Sequence, residues 1–341
     1  MNLPTPRPSF SSLTSSLPTI AGWVCAACVL ATAALSAQQA GRTKVSTVVY
    51  HGWTNAFVIE NGVVEAVVVP AVGRVMQFRF VGDAEGPFWE NRALDGKAPD
   101  PGAAEWGNFG GDKAWPSPQA DWPRVAGRGW PPPAAFDSMP VTCTVVADGV
   151  DLVSPVDARY GIRVTRQVRL LRGGARLHVR TEFEKVSGGE VTVGVWVVTQ
   201  LKDPVRTFIP LPLNSVFNQG FDLQSEAQPP SLRLGNNLIS LNRDTTRSYK
   251  IGSDAGTLLW VGTNQILRID SPRVRDASYP DHGSSAEIYT NGDPLKYVEL
   301  EMLGPLETLR PGLRVHREST YTLFRRRSDD AEAEARKILL R

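Results

Sequence analysis

Hydrophobic and polar residues alternate with a period of two along much of the chain, the pattern of strands that bury one face. The clearest run is ARLHVRTEFEK (175–185), and IRVTRQVRLL (162–171) behaves in the same way. Gly173 and Gly174 lie between these runs and predict a hairpin turn. By contrast, VTVGVWVVTQL (191–201) is almost wholly apolar, which is typical of a strand covered on both faces.

The remaining apolar runs complete an all-β pattern. Further strands are predicted at 63–70, 75–80, 257–261, 266–269, 286–289, 297–303 and 315–324. Helical periodicity appears only in DDAEAEARKILL (329–340), which predicts a short surface helix. Strands separated by Gly, Pro, Asn and Asp clusters predict antiparallel sheets packed face to face. We expect one such domain over 42–327, followed by a charged tail over 328–341 that carries the helix.

One proline- and glycine-rich run, GNFGGDKAWPSPQADWP (107–123), breaks the strand pattern. Proline removes a backbone donor and glycine weakens regular elements, so this run is predicted to be neither helix nor strand. It belongs to a long loop over 89–140, and a second long loop is expected over 210–235. The first loop holds five of the nine tryptophans, so we expect it to be ordered and to carry a site.

The two tryptophans of this run have two possible roles. An indole presents a flat apolar face and one N–H donor. Trp115 and Trp122 either cap the core or stack on a ligand such as a sugar ring. In the second case Asp112, Lys113 and Gln119 are the candidates to contact the polar edge of the sugar. The three prolines hold the run stiff, which lowers the entropy lost on binding.

Acidic residues in YVELEML (297–303) are the candidate catalytic groups. Period two places Glu299 and Glu301 on one side of a strand beside Tyr297, roughly 6.6 Å apart. Glutamates at a partly dry cleft tend to have separated pKa values, which suits acid/base chemistry. A solvated strand face is the alternative. His282, beside Asp281, is the candidate general acid among the four histidines.

Several function classes are disfavoured by composition and motifs. Lys and Arg number 37 against 35 Asp and Glu, so no basic excess indicates nucleic acid as a partner. No HxH or HExxH spacing is present, and no metal site is expected. The absence of GxGxxG and P-loop motifs argues against nucleotide cofactors, and without GxSxG a serine hydrolase is disfavoured.

The N-terminus predicts a secretory signal peptide over residues 1–37. One charge, Arg7, precedes the apolar run IAGWVCAACVLATAALSA (20–37), and cleavage is expected after Ala37. An uncleaved membrane anchor is the alternative. Two of the three cysteines lie inside this segment, so the mature chain keeps only Cys143 and no intramolecular disulfide. We therefore expect a periplasmic or extracellular protein with no membrane contact after cleavage.

Four stretches together resemble a known family: NGVVEAVVVPAVGRVMQFRF, GNFGGDKAWPSPQADWP, VWVVTQL and YVELEMLGPLETLRPG. They resemble exported bacterial proteins of a domain of unknown function that is related to the galactose mutarotase-like (aldose 1-epimerase) superfamily. The resemblance covers most of residues 45–325. It implies an antiparallel supersandwich in which one concave sheet carries a sugar cleft.

The same resemblance implies site residues, with one departure. In mutarotases a late-strand glutamate takes a proton from the anomeric hydroxyl, and Glu299 or Glu301 matches it. The strand expected to hold the histidine acid carries Thr199 and Gln200 instead, which puts epimerase activity in doubt. By analogy, Arg74 and the pair Asn91 and Arg92 are candidates to hydrogen-bond sugar hydroxyls, together with Gln200.

Three functions follow from these expectations. The first is an exported carbohydrate-binding protein with a saccharide ligand and no cofactor. The second is an epimerase or another enzyme acting at an anomeric centre through Glu299 or Glu301 with His282. The third is a non-catalytic envelope protein whose sandwich binds a protein partner.

Overall fold

The computed structural model describes Met1, residues 43–235 and residues 237–340 of the 341-residue chain. Apart from Met1, the segment predicted to be a signal peptide lies outside the described residues. From residue 43 onward the described chain forms one compact unit. Among the described residues, no helix combines the length and apolar character needed to cross a membrane.

β-strands are the main regular element of the described chain. In chain order the strands are β1 (Lys44–Tyr50), β2 (Trp53–Glu60), β3 (Val64–Val69), β4 (Arg74–Phe80), β5 (Asp112–Ser117), β6 (Thr142–Val146), β7 (Gly149–Val153), β8 (Ile162–Leu170), β9 (Arg176–Lys185), β10 (Val191–Lys202), β11 (Arg206–Pro210), β12 (Asp222–Leu223), β13 (Arg233–Gly235), β14 (Leu238–Leu241), β15 (Tyr249–Ser253), β16 (Thr257–Val261), β17 (Gln265–Asp270), β18 (Ala286–Thr290), β19 (Tyr297–Leu303), β20 (Glu307–Leu309) and β21 (Arg314–Arg325).

Helices are short in the described part of the chain. The α-helices are α1 (Trp122–Val125), α2 (Ala134–Asp137) and α3 (Ala331–Leu339). Single 3₁₀ turns lie at Pro70–Val72, Arg92–Leu94, Gln119–Asp121 and Asp281–Gly283. The predicted C-terminal helix is present as α3, and its residues Ala335 and Ile338 pack into an apolar cluster with Phe208.

The strands form two antiparallel sheets. The first sheet has the order β1-β2-β3-β4-β5-β10-β19-β18-β15-β12, with β20 also paired to β10. The second sheet has the order β13-β14-β11-β16-β17-β21-β9-β8-β7-β6. Neighbouring strands pair antiparallel throughout both orders, as in the long ladders β8–β9, β9–β21 and β10–β19. This arrangement confirms the predicted all-β fold of packed antiparallel sheets.

Period-two patterning placed several strands well. β16 and β19 have the predicted bounds, and β8, β9, β17, β18 and β21 differ from prediction by one or two residues at most. The apolar run over 191–201 is β10, which is buried along nearly its whole length between β5 and β19. Long apolar or alternating runs therefore carried enough information to locate these strands.

The prediction that residues 107–123 contain no regular element is wrong. Residues Asp112–Ser117 are β5, which pairs with β10 from Asp112 to Ser117. The strand tolerates Pro116 because β4 pairs with β5 only at Asp112. Beyond that residue one edge of β5 is free of ladder bonds, and proline is accommodated in strands at such edges.

A buried polar link ties the sheets together inside the apolar core. Asp112 of β5 forms an ion pair with Arg166 of β8. Its second carboxylate oxygen accepts hydrogen bonds from the hydroxyls of Tyr321 in β21 at 2.6 Å and Thr199 in β10 at 2.7 Å. The inner face of the first sheet is therefore the face that carries Asp112 and Thr199.

Candidate functional site

The opposite, outer face of the first sheet carries a row of charged and amide side chains. Neighbouring residues along a strand point to opposite faces, and directly paired residues share a face. Since Asp112 and Thr199 point inward, Lys113 and Gln200 point outward, and Gln200 pairs with Glu299 of β19. Glu301 lies two residues further on the same side. The central strands of the sheet thus bring together Lys113, Gln200, Glu299 and Glu301, which lie far apart in sequence.

Glu299 is held at the centre of this row. Its Oε1 accepts a hydrogen bond from Gln200 Nε2 at 2.8 Å and lies 3.8 Å from Lys113 Nζ. The Glu299 side chain keeps 9 % exposure, whereas that of Lys113 keeps 1 %. The Lys113 ammonium has no hydrogen-bond partner in the protein. The cluster therefore meets solvent through Glu299.

Glu301 belongs to a second, more deeply buried group. Its Oε2 accepts from Trp196 Nε1 at 2.7 Å and from Lys250 Nζ at 2.9 Å. Lys250, on β15, also forms an ion pair of 2.6 Å with Glu287 of β18. The Lys250 ammonium lies 4.7 Å from the centre of the Trp196 ring, where a cation is attracted by the aromatic face.

Two further groups extend this row toward the edge of the sheet. Gln224 Nε2 donates to Glu287 Oε1 at 2.9 Å. Asp281, in a 3₁₀ turn, lies close enough to Glu287 for the two carboxyl groups to affect each other's pKa. The row thus contains four carboxyl groups against two ammonium groups, and it carries an excess of acid. The acidic residues are Asp281, Glu287, Glu299 and Glu301, and the basic residues are Lys113 and Lys250.

Burial shifts the pKa of several of these groups. Burial raises the pKa of Glu299 to about 7, against a smaller lowering by Lys113. Burial also lowers the pKa of Lys113 to about 8, although Glu299 acts in the opposite direction. The pKa of Glu287 is raised well above its usual range, chiefly by burial. Burial acts to lower the pKa of Lys250, but Glu287 and Glu301 outweigh it and hold that pKa above the usual range.

Aromatic rings border the Glu299 region. Burial raises the pKa of Tyr297, while the nearby side chains of Asn108 and Gln200 act to lower it. The Tyr297 ring packs against Trp89 with centroids 4.8 Å apart. Lys113 Nζ lies 5.6 Å from the centre of the Trp106 ring. Trp89 and Trp106 are half-buried, so the rings next to the polar groups lie at the surface.

A buried carboxylate fixes two of the indoles. Asp137 of α2 accepts hydrogen bonds from Trp106 Nε1 at 2.8 Å and Trp115 Nε1 at 2.9 Å. It also receives a bond of 2.8 Å from Arg74 Nη2. Arg74 is 1 % exposed, and its two terminal nitrogens donate to Asp137 and to the Gly110 carbonyl. Its position supports the aromatic layer, and it does not reach the surface of the site.

The structure places the two predicted platform tryptophans inside the protein. Trp115 is 2 % exposed and Trp122 is fully buried, with Trp122 Nε1 donating to the Pro116 carbonyl at 2.7 Å. Of the two roles open to them, Trp122 therefore packs in the core. Trp115 lies under Lys113, whose ammonium is 4.9 Å from the ring centre. The tryptophans of the same region that reach the surface are Trp89, Trp106 and Trp130.

Other predicted site residues are not brought to Glu299. Asp112 points into the inter-sheet core, and Gln119 is exposed in a 3₁₀ turn. Asn91 caps another 3₁₀ turn by accepting from the Ala93 N–H at 3.2 Å. Arg92 contacts Glu90 and Asp95 in a neighbouring cavity.

His282 lies at the far edge of the acidic row. Its side chain is 77 % exposed, and its Nδ1 lies 2.8 Å from Asp222 Oδ2, which raises the pKa of His282. From the same turn it is Asp281, not His282, that acts on the pKa of Glu287. The loop therefore contributes a carboxyl group to the row.

Sequence patterns missed several members of the row. Lys250 and Glu287 lie on strands whose polar residues alternate with apolar ones, YKIGS and AEIYT, whereas Trp196 lies on the almost wholly apolar β10. That alternation is a usable signal that one face of these strands is polar. The order of strands in the sheet, which sets which polar residues meet, is not encoded in any local pattern.

The arrangement combines properties that suit a hydroxyl-rich ligand. Carboxylate, ammonium and amide groups with unused hydrogen-bonding capacity lie beside aromatic rings. A carboxyl that changes charge near neutral pH next to a buried ammonium is also able to exchange protons with a bound molecule.

No protein-family model matches the chain, and no curated protein sequence matches it. Solved structures do resemble it. A TPR-domain-containing protein from Parabacteroides distasonis gives a TM-score of 0.55 at 13% identity, over 80% of this chain and 48% of that one. This chain thus spans about half the length of that protein.

Two further structures match over nearly their full length. A candidate aldose 1-epimerase from Escherichia coli K12 gives a TM-score of 0.53 at 15% identity, over 80% of this chain and 99% of that one. A galactose mutarotase-like protein from Lactobacillus casei gives 0.54 at 11% identity, over 79% and 100%. Such similarity shows the fold alone, and it confirms the mutarotase-like resemblance at the level of the fold.

Proposed function

We propose that this chain binds a saccharide on the outer face of the first sheet, at Glu299. The observation that carries the proposal is a surplus of hydrogen-bonding groups around this carboxylate. The ammonium of Lys113, the carbonyl oxygen of Gln200 and both amide atoms of Asn108 are buried without hydrogen-bond partners. A buried polar group left unpaired costs roughly 1–3 kcal/mol.

A sugar matches this surplus in both chemistry and shape. Each sugar hydroxyl both donates and accepts hydrogen bonds, so it can satisfy an ammonium, an amide oxygen or a carboxylate. The C–H face of a sugar ring is apolar, and the half-buried rings of Trp89 and Trp106 offer apolar surface beside Glu299. The mutarotase-like fold supports the proposal as an analogy only.

Calorimetric titration of the protein with a panel of neutral mono- and disaccharides tests this proposal. We expect binding in the millimolar range or tighter, and we expect Glu299→Gln to weaken it by about tenfold, since a charge-assisted hydrogen bond becomes a neutral one. Glu184→Gln, on the exposed Arg314 pair of the second sheet, is the control and should bind as the wild type does. If no saccharide of the panel binds, the proposal fails.

A second candidate function is proton transfer at the anomeric centre of the bound sugar. It is favoured by one observation: Glu299, with a pKa of about 7, lies 3.8 Å from Lys113, with a pKa of about 8. A general base is most effective when its pKa lies near the working pH. Exchange between the α- and β-anomers of galactose, followed by NMR, measures this activity. An exchange rate equal in wild type and Glu299→Gln would rule it out.

We also propose that the protein is exported. Residues 20–37 are apolar and end in small residues, followed by the polar QQAGRTK. Protein recovered from the periplasm of a bacterial host should begin at Gln38. An intact N-terminus in the membrane fraction would instead favour the anchor.

A further inference from the structure

A cavity of about 230 Å³ lies on the first sheet near the Glu299 site. It is lined by Glu90 and Trp89 from the loop after β4, by Tyr50 and His51 at the end of β1, and by Arg92. Sites for drug-sized ligands measure roughly 300–1,000 Å³, so this volume suits a single small unit.

Glu90 is a buried carboxylate in the wall of this cavity, held by two hydrogen bonds. Its side chain is 8 % exposed, and its Oε1 accepts hydrogen bonds from the Tyr50 hydroxyl at 2.7 Å and Gln77 Nε2 at 2.8 Å. Its Oε2 is buried and has no hydrogen-bond partner in the protein. Tyr50 and Gln77 therefore hold the carboxylate in place and leave one oxygen for another donor.

The groups that cover this free oxygen are at the surface. Arg92 Nη1 lies 3.6 Å and His51 Nε2 lies 3.7 Å from Glu90 Oε2, and both distances exceed those of hydrogen bonds. The Arg92 side chain is 57 % exposed and that of His51 is 31 % exposed. Arg92 is held by Asp95 and His51, each 3.0 Å from its Nη2, and not by a hydrogen bond to Glu90.

The charges around the cavity favour a neutral occupant. Glu85 and Glu90 are balanced by Arg92 and Lys202, and Lys202 Nζ lies 2.5 Å from Glu85 Oε2. Neither an anion nor a cation would gain from a net charge here. A ligand whose hydroxyls donate to Glu90 and accept from Arg92 fits both the balance and the unused oxygen.

Trp89 connects this cavity to the Glu299 site. One indole lines the cavity and also packs on the Tyr297 ring, with centroids 4.8 Å apart. Tyr297 lies two residues before Glu299 on the same side of β19, and Gln200 Nε2 donates to Glu299 Oε1 at 2.8 Å. One pair of packed rings, tilted by 36°, therefore separates the two polar sites.

We propose that the Glu90 cavity is a subsite for a second neutral sugar unit, so that the protein binds an oligosaccharide that runs across Trp89. This inference rests on the proposed saccharide function and assigns to it a ligand of at least two units. The Glu299 site holds one unit, and the Glu90 cavity holds the next.

Calorimetry with glucose, galactose, cellobiose, lactose and maltose tests the subsite. We expect at least one disaccharide to bind about tenfold tighter than its component monosaccharides, equivalent to about 1.4 kcal/mol. Glu90→Gln should remove this gain and leave monosaccharide affinity within about twofold of the wild type. Glu299→Gln should weaken monosaccharide and disaccharide alike.

A second variant changes another wall of the cavity, so that the test does not depend on Glu90→Gln folding correctly. His51 has a left-handed backbone with φ of 49°, which asparagine adopts more readily than most residues. His51→Asn therefore shortens one wall of the cavity without straining the turn, and it should also reduce the disaccharide gain. Thermal unfolding of both variants checks that each is folded.

The outcomes separate the subsite from the function on which it rests. Disaccharides that bind no tighter than monosaccharides would overturn the subsite while the Glu299 site stands. The same conclusion follows if Glu90→Gln weakens both ligand classes equally. If neither ligand class binds the wild type, the subsite and the proposed function fall together.

Discussion

Glu299 lies where burial and a neighbouring ammonium act on its pKa in opposite directions. Burial is the larger effect and raises the pKa from 4.5 to about 7, while Lys113 lowers it. Between these two pH values the folded protein keeps a proton that the unfolded chain has released. The contribution of Glu299 to the free energy of unfolding therefore falls as pH rises through this window, and it is lowest above pH 7.

The titration of Glu299 is directly measurable. We expect the side-chain ¹³C resonance of Glu299 to titrate with a midpoint near pH 7. Lys113→Met removes a positive charge that lies 3.8 Å from Glu299 Oε1 and keeps the approximate length of the side chain. The midpoint should therefore move upward in this variant, because the ammonium that stabilises the charged form of Glu299 is gone and the cost of burying that form remains.

Lys250→Met supplies the matched comparison. Lys250 also lowers the pKa of Glu299, but its influence is smaller than that of Lys113. Its removal should move the Glu299 midpoint in the same direction and by less. A wild-type midpoint near 4.5, or one that Lys113→Met leaves in place, would mean that water reaches the carboxylate freely.

At the scale of elements, β19 was predictable and β5 was not. The sequence YVELEML alternates cleanly, so its bounds and the shared side of Glu299 and Glu301 follow from period two. β5 has the sequence DKAWPS, which contains a proline and no alternation of apolar and polar residues. Its pairing with β10 makes it a strand, and that context is absent from the local sequence.

The glycines before β5 show the same dependence on remote backbone. Gly111 has φ of +69°, and a Cβ there would lie 2.6 Å from the Val75 carbonyl oxygen of β4. Glycine adopts such left-handed conformations at little cost, so Gly110 and Gly111 suit this turn. The local sequence does not indicate that these glycines bring the chain alongside β4, or that a central strand, β5, begins directly after them.

The candidate site was predictable in part for the same reason. Glu299 and Glu301 were recognised from YVELEML, Lys113 from the tryptophan-rich run, and Gln200 from the family resemblance. Lys250 was not, because its contact with Glu301 spans 51 residues and depends on the order of β15, β18 and β19 in the sheet. Charged pairs that define a site on a sheet are set by strand order and register, which long-range packing decides.

At the scale of the whole molecule, a single carboxylate couples the two sheets. Asp112 is 1 % exposed, pairs with Arg166 of the second sheet, and accepts hydrogen bonds from Tyr321 and Thr199. The contact between Asp112 and Tyr321 spans 209 residues. Because Lys113 follows directly on the outer face, this link also fixes the strand that carries the buried ammonium.

Asp112→Asn should destabilise the protein by about 3–5 kcal/mol, since it leaves the buried Arg166 without a compensating charge. The substitution also replaces one carboxylate acceptor with an amide donor, which faces side chains that donate to Asp112 in the wild type. Urea unfolding measures the loss. Asp121→Asn is the matched control: the Asp121 pair with Arg124 has side chains that are 34 % and 67 % exposed, and such surface pairs contribute about 0–1 kcal/mol.

Equal losses in Asp112→Asn and Asp121→Asn would show that the buried link adds no more than a surface pair.

A large loss of stability in Asp112→Asn alone leads to a further prediction about binding. Since Asp112 and Lys113 are consecutive in β5 and point to opposite faces, loosening of the inner link should weaken saccharide binding at Glu299 even in the fraction that remains folded. Calorimetry on that folded variant separates this coupling from a plain loss of stability, which would lower the amount of active protein without changing its affinity.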